Sequence, residues 1–562
     1  MGKFKRIYEQ RGELKSNMFW LYEQNKGVYG YIFVFFIISL LSMLFSLASP
    51  VASKYVVDAV IGDTKKFEFK YALIMLSASI ISILLSAFSN VFSSYVNEKF
   101  AFNVRARMFD KTQRGSWKDI TAYHSGDMLA RLTSDIDNVA SNIISMVPSL
   151  VITMIKLAII LVILLKNDPT IAIIGLIVGP IGMILAILFR RPYKNCQRIL
   201  RESQSEYYTF FQETLGNLDV VKAFQLENKN NEYFESFRAR RMKTVLKSAR
   251  LSTLMSSVMR LIYGIGYVVA FCWCANQMGT HPGYTYGTMT LFLSLVGQLQ
   301  GSVRGLGTII PTFYSVLVSS KRIREITEQF PEEETGKTDI PASVGLSVKN
   351  VSFSYNSKVI LNNICAEIAP CEKVAVIGTS GAGKTTLIRL MMALVSPDEG
   401  TLSYLFDGEE EAISPCSRRL ISYVPQGNTL MTGTVRENLL TGNEYADDES
   451  MWNALELAGA ADFIRRDERG LDMPIKEKSG GVSAGQAQRI CIARALMRDR
   501  PVLILDEATS ALDEATEQRI FETLSKDKSR TYFIITHRSS MLKYCTSVIK
   551  IDDEGNLSYI KY

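Results

Sequence analysis

Histidine, cysteine and tryptophan are scarce in this chain: 3 His, 8 Cys and 4 Trp among 562 residues. Cys272 and Cys274 stand close together in an apolar stretch, and the other six cysteines are isolated. There is no CxxC pair and no Cys/His cluster with zinc spacing, which excludes zinc-finger and zinc-ribbon modules. Unpaired thiols fit a reducing compartment or lipid better than a disulfide-stapled secreted domain. Charge of one sign is also in short supply, with a net of only +7. The basic residues lie beside apolar segments instead of forming one basic face, so no nucleic-acid partner is expected. A secretory signal peptide is not expected either. The stretch 3–26 is charged, and the first apolar run is longer than a signal peptide's core. Residues 4–24 read as an interfacial helix on the cytoplasmic face, with Phe19 and Trp20 against lipid. A soluble N-terminal helix is the alternative.

Long apolar runs are what the chain does have. Six segments, 30–53, 71–96, 140–165, 169–188, 254–276 and 286–318, reach the length of about 20 residues that a bilayer demands. The first, third and fifth links between them are short, whereas the second and fourth are long, polar and helix-prone. Arg105, Arg107, Lys111 and Arg114 lie in one long link, and Arg190, Arg191, Lys194 and Arg198 in the other. The outer link 279–287 has neither Lys nor Arg. This bias puts the N-terminus and both long links in the cytoplasm. Structureless links of that length are improbable, so the spans are expected to continue as helices into the cytoplasm and turn near 117–126 and 213–221. Beyond 318 the character changes. A charged helix end and an acidic, Pro-containing stretch suggest a linker at 321–345. From 346 onward short β-branched runs alternate with helical segments, the pattern of a buried, mainly parallel sheet. The expected fold is therefore multi-domain: an all-α six-helix transmembrane domain (1–320) with long cytoplasmic helix extensions, then an α/β P-loop NTPase domain (346–562).

The strongest chemical signal is Gly378, Thr379, Ser380, Gly381, Ala382, Gly383, Lys384, Thr385 and Thr386. A strand precedes this run and a helix follows, the context of a P-loop. Its glycines let backbone N–H groups close around phosphate, at a helix N-terminus that favours anions. Lys384 would reach the β- and γ-phosphates and Thr385 would bind Mg²⁺. A second element, the apolar run from Val502, ends in Asp506 and Glu507. Asp506 is suited to the Mg²⁺ shell, and Glu507 to orienting and polarising an attacking water as general base.

With these two elements in place, Val482, Ser483, Ala484, Gly485 and Gln486 resemble the signature sequence of the ABC transporter ATPases. The resemblance implies that Ser483 and Gly485 contact the γ-phosphate of a nucleotide held by another subunit. Two positions depart from the commonest pattern: Val482 replaces Leu and Ala484 replaces Gly. Ala484 adds a methyl group where backbone approaches phosphate, which would slow or weaken closure of the site. Further motifs follow in the family's order. The resemblance implies that Tyr355 stacks on adenine, that Gln426 senses Mg²⁺ and contacts the membrane domain, and that Ser510–Asp513 crosses a dimer interface. It also implies that His537 contacts γ-phosphate. Glu477 is similar to the acidic residue before the signature in exporter-type members. In the first half, 126–135 and 213–224 resemble the two cytoplasmic turn regions of the family's exporters.

One P-loop and one signature make half of each of two shared ATP sites, so the resemblance implies a dimer of half-transporters. A homodimer is the simpler expectation, and Ala484 leaves a heterodimer open. The implied activity is ATP-driven export of a peptide, drug-like or lipid substrate by alternating access, from a multi-pass position in a cell membrane, expected to be bacterial. An ATP-gated receptor that moves nothing is the alternative. Lys156, Arg260 and Arg304 fall within the apolar spans, with no acidic residue in the central parts of those spans. A charge at that depth is costly unless it meets water or a partner. Some of the three are expected to line a cavity that favours an anionic group. Snorkelling towards the inner surface is the other reading.

Overall fold

The computed structural model describes the chain except for residues 1–15, 18, 21–22, 24–25, 62–68, 124, 279–283, 335, 337–338, 356–357, 428 and 477–479. It divides into two compact units. Residues 1–110 and 125–329 form the first; residues 111–124 and 330–562 form the second.

The first unit is helical. Six long helices are described: α1 (Tyr29–Ile61), α2 (Phe69–Arg114), α3 (Ile136–Asn167), α4 (Pro169–Gly216), α5 (Glu227–Gln277) and α6 (Tyr286–Gln329). Among the described residues four helical stretches are long and apolar enough to cross a membrane: Tyr29–Ile61, Phe69–Arg114, Gly126–Asn167 and Glu227–Gln277. The two other expected spans lie within α4 and α6, where some side chains are outside the described residues. At about 1.5 Å per residue, the 46 residues of α2 extend roughly 70 Å. That is more than twice the thickness of about 30 Å of a bilayer's hydrocarbon core. The 48 residues of α4 and the 51 of α5 behave alike, so the spans do continue as helices beyond the membrane. Short helices Trp117–Thr121 and Leu218–Ala223 stand where the two cytoplasmic turns were expected.

Packing inside this unit is apolar where the helices meet. Ile160, Leu164, Ile171, Leu295, Val296 and Leu299 are fully enclosed. Phe33, Ile83, Leu84 and Val91 are by contrast more than 60% exposed, a surface that needs lipid rather than water around it. Serines supply polar links between α1 and α2. Ser39 Oγ lies 2.7 Å from Ser89 Oγ, and Ser42 and Ser82 each donate to the other's carbonyl at 3.0 Å. Towards α6, a π-helical turn Arg131–Asp135 carries a buried ionic network. Arg131 pairs with Asp127 and Glu325, and Arg322 with Asp127 and Asp135. Most of the expected interfacial helix lies outside the described residues. Phe19 is exposed there, but Trp20 is 3% exposed and packs inside the protein instead of against lipid.

The second unit holds two main sheets and a two-stranded antiparallel ribbon of β7 (Gly433–Thr434) and β8 (Pro474–Ile475). β1 (Gly345–Tyr355), β2 (Lys358–Ile368), β4 (Glu399–Phe406) and β5 (Glu409–Ala412) form an antiparallel sheet in the order β2-β1-β4-β5. The larger sheet runs β12-β11-β3-β10-β9-β6, with β3 (Lys373–Gly378), β6 (Ile421–Val424), β9 (Val502–Asp506), β10 (Thr531–Ile535), β11 (Ser547–Ile551) and β12 (Leu557–Lys561). All its pairings are parallel except β11 with β12. Every residue of β9 and β10 is buried, so their near-continuous apolar sequences are those of a sheet covered on both faces. Helices α7 (Lys384–Met391), α8 (Ala484–Met497) and α9 (Glu514–Ser525) complete the frame around the site.

Candidate nucleotide site

Three adjacent parallel strands end at one level. Ile535 of β10 pairs with Val376 of β3 on one side and with Asp506 of β9 on the other. The loops after β3, β9 and β10 therefore converge at the carboxyl edge of the sheet, the usual ligand position in such folds.

The loop after β3 is shaped by its glycines. A Cβ on Gly378 would lie 2.4 Å from the Ile551 carbonyl oxygen. Gly383 has a left-handed φ of +104°, and a Cβ there would crowd Ile360 Cγ2 at 3.0 Å. Ala382, Lys384 and Thr386 are buried, Thr385 is half-buried, and Thr379, Ser380 and Gly381 are exposed. The Thr379 hydroxyl bonds Asp553. Lys384 Nζ donates to the carbonyls of Gly378 and Thr379, both at 2.8 Å, and so bridges the cradle. Burial holds its ammonium below the ordinary lysine range, against the pull of Glu507 and Asp506. An anion in the cradle would relieve that cost.

Asp506 is 1% exposed. One carboxylate oxygen, Oδ1, has no hydrogen-bond partner among the described residues. The other faces the Tyr423 hydroxyl at 3.4 Å. Burial, then the neighbouring Glu507 charge, push its acid above the ordinary aspartate value. An enclosed carboxylate with an unsatisfied oxygen fits a hard divalent cation. Glu507 comes next, at a left-handed φ of +50° that a glutamate rarely adopts. This backbone turn exposes its carboxylate to two other residues. Gln426 Nε2 donates to Oε2 at 2.8 Å, and His537 Nε2 lies 3.1 Å from Oε1. Three of the residues singled out from sequence, 81 and 30 positions apart in the chain, thus meet on one carboxylate.

Other candidates lie elsewhere in the unit. Tyr355 stacks edge-on against Phe353 at 4.8 Å, and its hydroxyl accepts a hydrogen bond from Arg389. Ser483 caps α8: it accepts from the Gln486 amide at 3.2 Å while the Gln486 side chain accepts from the Ser483 amide at 2.8 Å. Ala484 is exposed. A Cβ on Gly485 would come within 2.8 Å of the Ala511 carbonyl oxygen, so only glycine fits. Asp513 caps α9 through the Thr516 amide at 2.9 Å. Among the described residues no hydrogen bond or ion pair joins Ser483–Gln486 to the loop 378–386. Of the intramembrane cations, Lys156 is half-buried and Arg260 exposed, neither with an ion-pair partner among the described residues. The side chain of Arg304, and Glu477, lie outside the described residues.

Some contributors were not foreseen from sequence. Gln488, on the buried side of α8, donates to Ser510 Oγ at 3.0 Å and accepts from the Ala511 amide at 2.9 Å. It ties α8 to the segment 510–513. Tyr423 and Arg538 also act through long-range partners. The only sequence signal for Gln488 is a polar residue within an apolar helical run.

Comparison with known proteins agrees with this frame. Residues 32–303 match the family described as the ABC transporter transmembrane region, and residues 361–510 match the family described as ABC transporter. The chain is 29% identical over 470 residues to an ATP-dependent lipid A-core flippase of Syntrophus aciditrophicus (strain SB), covering 83% of this chain and 78% of the relative. It is 26% identical over 543 residues to YgaD of Bacillus subtilis (strain 168), named for multidrug export, covering 93% and 92%. The fold is similar to that of a bacterial Atm1-family ABC exporter with ATP bound, with a TM-score of 0.80, 23% identity, and coverage of 95% of this chain and 96% of the other. The chain belongs to the ABC transporter superfamily and is an exporter-type half-transporter, a multi-pass membrane region fused to a cytoplasmic ATP-hydrolysing domain.

Proposed function

We propose that two identical copies of this chain form a bacterial plasma-membrane exporter for an amphipathic substrate, a peptide, drug-like molecule or lipid. ATP and Mg²⁺ are the cofactors. Lys384 and the amides of 378–386 hold the phosphates, Thr385, Asp506 and Gln426 hold Mg²⁺, and Tyr355 stacks on adenine. Glu507 is the general base, with His537 beside it at the γ-phosphate. The domain boundaries are taken as 1–320, 321–345 and 346–562.

The meeting of Gln426, Glu507 and His537 carries this reading. It is a prepared water-activating site at one end of the cradle, while Ser483, Ala484, Gly485 and Gln486 stand capped at the head of a separate helix. A second copy would bring its signature to this chain's cradle, with Asp513 near the crossing. Closing on ATP then favours one packing of the paired membrane helices over the other. Phe224, 72% exposed at the second cytoplasmic turn, supports a partner surface there.

The substrate class rests on the relatives, named for lipid A-core and for multidrug export, and on the intramembrane cations Lys156, Arg260 and Arg304. An anionic group on the cargo would offset the desolvation of these charges. Reconstituted protein should show ATPase activity that an amphipathic anion stimulates. Neutralising Arg260 and Arg304 together should reduce that stimulation. An unchanged response would remove the cations from substrate binding, and the absence of any cargo movement into sealed vesicles would defeat the exporter reading.

A further inference from the structure

Arg389 lies in the last turn of α7, the helix that begins with Lys384 of the phosphate cradle. Its guanidinium carbon stands 5.0 Å from the centroid of the Trp117 ring. From the same group, Nη1 donates to the Tyr355 hydroxyl at 3.3 Å. Trp117 opens the short helix Trp117–Thr121 of the first cytoplasmic turn, which belongs to the second compact unit and packs on its core. Arg389 is half-buried, and among the described residues no carboxylate forms an ion pair with it. A guanidinium in that position would ordinarily be expected to have an acidic partner. Here its neighbours are instead an aromatic face and a phenol. Its charge also acts on Asp506 and Tyr423, favouring the ionised form of each. The arginine therefore stands between the first cytoplasmic turn and the tyrosine proposed above to stack on the base.

We propose that Arg389 is a positioning residue through which docking of the first cytoplasmic turn sets the affinity for nucleotide. The planar guanidinium holds Trp117 with one face and orients Tyr355 with one edge. When the turn is seated, Tyr355 is held in the rotamer that can stack on a base. When the turn is displaced, Arg389 loses the aromatic face and Tyr355 loses its orientation. By linkage, nucleotide that engages Tyr355 also strengthens the seating of Trp117. This rests on the assignment of Tyr355 to the base, so that assignment is tested separately.

The experiment measures kcat and KM for ATP with the full-length protein in lipid nanodiscs. The variants are Tyr355→Ala, Arg389→Ala, Arg389→Lys, Trp117→Ala, Trp117→Phe and the double Trp117→Ala/Arg389→Ala. Arg389→Ala and Trp117→Ala should each raise KM about three- to tenfold, the range of one partly buried cation–π contact, with little change in kcat. The double variant should be no worse than the worse single one, since both remove one contact. Trp117→Phe keeps an aromatic face and should recover most of the affinity. Arg389→Lys keeps the charge without the plane and should recover only part. Retained well-folded behaviour in Trp117→Phe and Arg389→Lys keeps the test valid if an alanine variant fails to fold. Multiplying effects in the double variant, or a fall in kcat at unchanged KM, overturns the relay while leaving Tyr355 at the base. An unchanged KM in Tyr355→Ala overturns the base assignment and the relay with it.

Discussion

Arg538, next to His537 in sequence, forms an ion pair with Glu517, whose side chain is only 2% exposed at the first turn of α9. Glu517 also accepts from Thr509 Oγ1 at 2.6 Å, and Arg538 Nη2 donates to the Leu512 carbonyl at 3.2 Å. The histidine loop and the segment 509–513 are thereby fastened to each other. Glu517→Gln should cost about 1.5–3 kcal/mol, the scale of a hydrogen bond to a charged group, because half of the pair stays behind. A lowered apparent melting temperature and a lower kcat with near-normal ATP binding are expected. A variant that melts like the parent would show that the pair holds nothing in place.

Glu507 is the residue on which Gln426 and His537 converge, at 2.8 and 3.1 Å. Glu507→Gln keeps the size and most hydrogen bonds but cannot accept a proton from water. ATP binding should persist while hydrolysis slows by at least about a hundredfold, the lower end for loss of a general base. Radiolabelled ATP binding and phosphate release measure the two separately. Full turnover by the variant would reassign the base.

Asp506 has its acid raised in the folded protein, by burial first and by Glu507 second. The folded chain therefore binds that proton more tightly than the unfolded chain. Ionised Asp506 disfavours the nucleotide-free fold at neutral pH, and this cost fades as pH falls through its raised value towards the ordinary aspartate range. Asp506→Asn should melt higher than the parent at pH 7.5 without nucleotide, with the gap closing in acid. The same variant should lose the extra stabilisation that Mg²⁺ with ATP gives over ATP alone. Melting curves across pH, with and without Mg²⁺, read both effects.

Gly287, at the start of α6, donates its amide to Asp58 Oδ1 of α1 at 2.9 Å. An added Cβ would sit 2.2 Å from the Lys54 carbonyl oxygen and 2.5 Å from Asp58 Cγ. Gly287→Ala should destabilise by about 1–3 kcal/mol through overpacking. Gly301→Ala, in the same helix with nothing within 4 Å of its Cβ, is the control and should be neutral or stabilising. Equal melting of the two variants would deny the close approach of α1 and α6.

The glycine-rich loop and the acidic strand end were legible because their residues are contiguous. Gly378 to Thr386 form one loop and helix start, and Asp506 with Glu507 end one strand. Contiguous motifs carry their geometry in local backbone preferences. The left-handed turn at Gly383 needs glycine, and the carboxylates follow a run of buried β-formers. The contacts of Gln488, Glu517 and Arg389 were not legible. Each depends on how a helix packs against a segment distant in the chain, 22 residues away for Gln488 and Ser510. A polar residue in an apolar helix announces a partner without naming it.

By itself the sequence determined the long apolar runs, the glycine-rich loop after β3, the acidic strand end and the order of the motifs, since period, composition and spacing are properties of neighbouring residues. Only the tertiary structure decided that Glu507 lies between Gln426 and His537, that one oxygen of Asp506 is left unsatisfied, and that Trp117 reaches Arg389. Those facts depend on the packing of parallel strands and the helices above them. Close packing selects one arrangement from many that the local pattern would allow.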